Sequence, residues 1–91
     1  MSQEKKIRAL TSGQIRAARA FVRWSAHDLS RHSAVGLRTI RRAELAEKTT
    51  SMTQVNDFAI RRALEAAGVE FIAENGGGPG VRMAKHRKKQ P

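Results

Sequence analysis

Two complete helix-start signals lie only 14 positions apart, at Thr11 and Ser25, and no other feature of the chain restricts its fold as much. Thr11-Ser12-Gly13-Gln14 has the capping-box form, in which the cap hydroxyl takes an orphan amide and the Gln side chain reaches back to the cap. Leu10 and Ile15 are spaced as a hydrophobic staple across that start. Ser25-Ala26-His27-Asp28 repeats the logic, with Asp28 in the first turn, where negative charge suits the helix dipole. Trp24 and Leu29 supply its staple. This second helix must be short, because Ser33-Ala34-Val35-Gly36 breaks the pattern after about two turns. A third helix runs from Leu37 to about Ala46, with Val35 and Ile40 at staple spacing around a Gly36 cap. Residues 12–46 are therefore predicted to hold three short helices with tight connections.

Lys48-Thr49-Thr50-Ser51 reads as a connector. A fourth helix is expected from Ser51 or Thr53 to Ala67. Its apolar row is Val55, Phe58, Ala59, Ala63 and Ala66, widened by Ile60 and Leu64. Gly68, followed by an apolar residue able to touch Leu64, fits a Schellman ending. Val69-Glu70-Phe71-Ile72 and Val81-Arg82-Met83 are β-prone, and Asn75-Gly76-Gly77-Gly78-Pro79-Gly80 between them suits only a turn or open loop. These glycines lack the Lys-Ser/Thr that would follow in a phosphate loop. The expected organisation is a flexible arm at 1–9, a helical domain at 10–68, a β-arm or hairpin at 69–83 and a disordered basic tail at 84–91. The fold class is mainly α, with four helices.

Charge then narrows the function. Eighteen Lys and Arg against eight Asp and Glu leave a net charge of +10 on 91 residues, which calls for a polyanionic partner. Nucleic acid is the first candidate, because each phosphate contact releases counterions. An acidic protein or an anionic membrane surface meets the same arithmetic. Phe and Trp make up only 4% and Tyr is absent, so no stacking platform for single strands is expected. Without Cys there is no disulfide or thiolate chemistry. His27 and His32 are five apart rather than at the i, i+4 spacing of a helical metal pair, and no nucleophilic triad or carboxylate pair can be placed in a cleft. No enzyme, cofactor or metal is expected. Short apolar runs and a polar Met1-Ser2-Gln3-Glu4-Lys5-Lys6 start give neither a membrane span nor a secretion signal, so a cytoplasmic location is expected.

The break between the second and third helices turns composition into mechanism. A helix of about two turns, a short break and another short helix is the helix-turn-helix layout, whose second member lies in the major groove. With Ile40 facing inward, a step of about 100° per residue sets Arg38 and Arg42 nearly opposite it, flanked by Arg41 and Leu45. The inner side carries Ile40 and Ala43. Arginine on the outer side can grip a guanine edge or a phosphate through two parallel hydrogen bonds.

Residues 10–44 resemble the lambda-repressor/Cro-like helix-turn-helix family of bacterial and phage regulators. The resemblance rests on Ile15-Arg16-Ala17-Ala18-Arg19, Trp24-Ser25, Leu29, Val35 and Leu37-Arg38-Thr39-Ile40-Arg41-Arg42-Ala43-Glu44. It implies an ion pair of Arg19 with Glu44 that locks the first helix to the third. It places Leu37, Arg38 and Arg42 at base edges, with Leu37 limited to a thymine methyl. It gives Thr39 and Arg41 nearby phosphates, and docks another phosphate on Ser25 and the amides of Ala26 and His27. Lys85, Arg87 and Lys88 would add backbone attraction. The chain departs from the family pattern at Ala26, where Gln is usual, and at Ser30, where Ala is usual. Ala34 replaces the usual turn Gly, at about 1–2 kcal/mol if left-handed, and Gly36 is a weaker cap than Ser or Thr.

An isolated hairpin is marginal in water and its free edge invites pairing. Val69, Phe71, Ile72, Val81 and Met83 are therefore the expected dimerisation residues; the alternative is a hairpin folded onto its own fourth helix. A dimer would set two recognition helices about 34–36 Å apart on double-stranded DNA. The expected function is a sequence-specific regulator, most simply a repressor or autoregulator on an inverted repeat, located with the bacterial nucleoid. The alternative is an antitoxin or antiactivator working through a protein partner.

Overall fold

Both capping boxes form. In a computed structural model that describes residues 9–47 and 50–85, the Thr11 hydroxyl accepts the Gln14 amide at 3.0 Å and Gln14 Oε1 accepts the Thr11 amide at 3.0 Å. This starts α1 (Ser12–Val22). Ser25 and Asp28 make the same exchange at 3.0 and 2.9 Å to start α2 (Ala26–Ser33). α3 (Leu37–Leu45) begins at Gly36, with no side-chain cap. Thr53 caps α4 (Gln54–Ala66), and β1 (Val69–Ile72) and β2 (Gly80–Met83) form an antiparallel hairpin. The arm expected over 1–9 lies outside the described residues except for Ala9.

The turn between α2 and α3 contains one of the two non-glycine residues with left-handed backbone among the described residues, the other being Arg23 after α1. Ala34 has φ 63° and ψ 19°, a conformation that crowds its Cβ against the following carbonyl. Two serines hold it there. Ser30 Oγ donates to the Val35 carbonyl at 2.7 Å, while Ser33 Oγ donates to the Leu29 carbonyl at 2.7 Å and accepts the Val35 amide at 3.1 Å. Ser30 thus helps to fasten the turn that Ala34 strains.

Leu10, Ile15, Leu29, Ile40, Ile60 and Leu64 are the large side chains buried completely, so every helix supplies the core. α2 packs against α3 and α4, and α1 against α3 and the hairpin. The core face of α4 differs from the one expected. Its buried row is Asp57, Ile60 and Leu64, whereas Val55 is 76% and Phe58 48% exposed. Val55 and Phe58 stand five and two positions before Ile60, which at about 100° per residue turns both to the far side of the helix. Ala59 and Ala63 do pack against the core, while Ala66 is exposed. Buried Asp57 accepts the Leu10 amide at 3.0 Å and lies 3.7 Å from Arg61, so this carboxylate anchors the entry to α1.

Gly68, at φ 110°, ends α4 with its amide bonded to the Glu65 carbonyl at 3.0 Å. A Cβ here would come within 3.1 Å of the Met83 methyl, the far end of a flexible, exposed side chain, so the positive φ is what calls for glycine. The hairpin then folds back on its own chain, against both α4 and α1. Gln14 Nε2 donates to the Gly80 carbonyl at 3.0 Å and the Ile72 carbonyl at 3.3 Å. Of the residues expected at a contact between chains, Val69 is 2% exposed within the single chain, and Phe71 and Val81 are partly buried against the same core, as in a hairpin folded onto its own chain. Ile72 is likewise half-buried and Met83 is exposed. No helix among the described residues is long and apolar enough to cross a membrane.

Candidate nucleic-acid interface

α3 is fixed from behind. Arg19 Nε bonds Glu44 Oε2 at 2.7 Å and its Nη2 bonds Oε1 at 2.8 Å, while Nη1 donates to the Trp24 carbonyl at 2.9 Å. The Glu44 carboxylate, buried beneath α3, raises the Arg19 pKa above the ordinary arginine value, against the opposing effect of burial. Two contacts unforeseen from sequence reinforce this lock. Arg16 Nη1 donates to the Glu44 carbonyl at 2.7 Å and Ser12 Oγ to the Ala46 carbonyl at 2.6 Å, closing the last turn of α3 onto α1. Helix ends leave such carbonyls orphaned, which is the general signal for seeking a donor there.

The front of α3 is the reverse. Ile40, Ala43 and Glu44 are buried, whereas Arg38, Arg41 and Arg42 are exposed and Leu45 is 83% exposed. Among the described residues none of these three arginine side chains makes a hydrogen bond or ion pair. Acids engage arginines elsewhere: Asp28 holds Arg31 at 3.3 Å and Glu70 holds Arg82 at 3.0 Å. The Arg82 bond keeps the Glu70 carboxyl below its usual range. Leu37 and Thr39 are half-buried beside this face. Thr39 and Arg42 line a shallow notch whose other wall is Ser51, Thr53 and Asn56 at the start of α4.

At the start of α2 only part of the expected anion site is open. The Ser25 amide donates to the Asp28 carboxylate, while the Ser25 hydroxyl accepts the Asp28 amide, a bond that does not use its own proton. The first two helical amides, of Ala26 and His27, have no partner within a helix by its geometry and are the backbone donors there beside that hydroxyl. The Ser25 amide first, then Arg31 and the Ser25 hydroxyl, hold the Asp28 carboxyl below the ordinary aspartate value. An incoming phosphate would therefore meet a fixed negative charge within the same turn. Behind it, Trp24 stacks on His32 with ring centroids 4.1 Å apart and planes within 4°, a contact that residue spacing does not announce. Lys85 is exposed, and Arg87 and Lys88 lie outside the described residues.

Away from α3, the outward side of α4 carries Val55, Phe58 and Arg62, with the Arg62 guanidinium 5.6 Å from the Phe58 ring centre. Val55 and Phe58 edge a groove of about 380 Å³ also lined by Ala9, Met52, Gln54 and Asp57. No protein-family model matches the chain, and no curated protein matches it significantly.

Proposed function

We propose that this chain is a sequence-specific regulator that binds double-stranded DNA through a lambda-repressor/Cro-like helix-turn-helix formed by α2 and α3. One observation carries the reading: Arg38, Arg41 and Arg42 project from one short helix and none is neutralised by an acid of the described chain. Three exposed guanidiniums on one short helix, with no acid beside them, raise the local positive potential, which favours an anionic partner. In the major groove, Arg38 and Arg42 would face base edges, Leu37 a thymine methyl, and Thr39 and Arg41 the flanking phosphates. The Ala26 and His27 amides would take a further phosphate at the start of α2. Lys85 would add attraction that is indifferent to sequence.

A dimer on an inverted repeat would let the protein repress by covering a promoter. Its contact would run along the hairpin edge. The Ala84 amide bonds the Gly68 carbonyl at 2.7 Å, so in the observed register 70/82 and 72/80 are the other hydrogen-bonded pairs. The peptide groups of Val81 and Met83 then turn outward, available to a second strand. A bacterial cytoplasmic location at the nucleoid follows from the same proposal.

Selection from a pool of random duplexes, followed by the stoichiometry of the winning complex, tests this. The expected result is an enriched inverted repeat holding two chains, with half-sites about 10–10.5 base pairs apart and affinity that falls steeply with salt. Recovery of no sequence above the starting pool would reject the reading. The exposed Val55–Phe58 face favours a second reading, an antitoxin or antiactivator that grips a protein partner; a stable protein complex without operator preference would select it.

A further inference from the structure

We infer that the half-site recognised by α3 is defined by two guanines about two base-pair steps apart, with a thymine beside the guanine met by Arg38. This rests on the DNA-reading role proposed above and specifies what that face reads. The helix offers a narrow chemical alphabet. It contains no Asn or Gln, the residues that pair with adenine through two hydrogen bonds. Its one acid, Glu44, could accept from cytosine, but it is turned to the back, bonded twice to Arg19 and only 10% exposed. Of the three exposed, unpaired arginines, Arg38 and Arg42 lie one turn apart opposite Ile40, whereas Arg41 is turned toward the flank and assigned to a phosphate above; arginine's preferred base partner is the O6/N7 edge of guanine. Four residues of helix advance about 6 Å, and base pairs rise about 3.4 Å. The two forks therefore address positions about two steps apart. Leu37, half-buried and one residue before Arg38, has no donor or acceptor in its side chain, so a thymine methyl is the base feature it can favour.

The test uses the full chain and the duplex won by selection. Each guanine of the half-site is replaced in turn by 7-deazaguanine, which loses the N7 acceptor, and each thymine by deoxyuridine, which loses the methyl. Two 7-deazaguanine positions about two steps apart are expected to cost roughly tenfold in affinity each, within the range of one base-pair discrimination. One deoxyuridine position is expected to cost about fourfold, the value of one buried methyl. The first 7-deaza effect should vanish in Arg38→Ala, the second in Arg42→Ala and the uracil effect in Leu37→Ala. Circular dichroism of each variant, above all of Leu37→Ala at its half-buried position, checks that the fold is intact. An enriched operator whose half-site lacks such guanines, or is insensitive at N7, overturns this inference while the DNA-binding role stands. Failure to enrich any sequence overturns both.

Discussion

The arginines of α3 and the arginine of the hairpin have the same chemistry and opposite surroundings. Arg82 lies across the strand pair from Glu70, and the two are joined by bonds of 3.0 and 3.2 Å. Arg38, Arg41 and Arg42 have no such acid, because the only carboxylate of their helix faces inward to Arg19. Residue type alone therefore does not mark a binding surface. The supply of acids around each cation differs, and it separates a hairpin whose Arg82 is paired from a helix whose three arginines are unpaired among the described residues.

The sharpest way to break that contrast is to unlock the inward acid. Glu44→Ala leaves the Arg19 guanidinium, 22% exposed, without its carboxylate. Urea unfolding is expected to show a loss of about 3 kcal/mol, at the lower end for a buried pair. A loss indistinguishable from zero would make the pair a surface ornament.

Arg42→Ala should do the opposite. Its expected cost is about 2 kcal/mol in operator binding, within the range for one bidentate base contact. Its unfolding free energy should stay within about 0.5 kcal/mol of the parent, as for other exposed substitutions. Equal losses on operator and random DNA would move Arg42 from base reading to backbone contact.

Ala34→Gly removes the Cβ from a residue at φ 63°. It is expected to raise stability by about 1 kcal/mol, which thermal unfolding would detect. No gain would mean that the Ser30 and Ser33 bonds already relieve the turn.

The smallest expected effect is acid dependence at α2. Asp28 is more acidic folded than unfolded, so its contribution is complete above the ordinary aspartate value. It fades as pH falls through that value and is gone below the lowered folded one. The melting-temperature difference between the parent and Asp28→Asn should therefore shrink between about pH 5 and pH 2. A constant difference would exclude the charge as its source.

The helical half was legible because its signals are local. Thr11/Gln14 and Ser25/Asp28 state where α1 and α2 begin within four residues each, and the break before Leu37 fixes which side of α3 carries arginine. α4 misled because alanines blur the period. Val55, Phe58, Ala59, Ala63 and Ala66 satisfy helical spacing as well as Asp57, Ile60 and Leu64 do, and only packing against Leu10 and Leu29 decides between them. Asp57 was invisible as a core residue because its partners, the Leu10 amide and Arg61, include a backbone group 47 positions away. Gln14 was read only as a capping side chain, yet its amide nitrogen also reaches the hairpin 66 positions on. Contacts of that range have no signature in residue spacing. The intrachain cover over Val69 was illegible for the same reason, since covering a strand from within the chain and from a second chain demand the same apolar residues.

Amide chemical-shift mapping of the free protein titrated with duplex DNA addresses the central claim most directly. If α3 presents uncompensated charge to the groove, the largest shifts will fall on Leu37–Leu45 and on Ala26 and His27 at the start of α2, while Glu70 and Arg82 of the hairpin remain nearly still. Shifts centred on the hairpin or on the Val55–Phe58 face, with α3 unmoved, would contradict it.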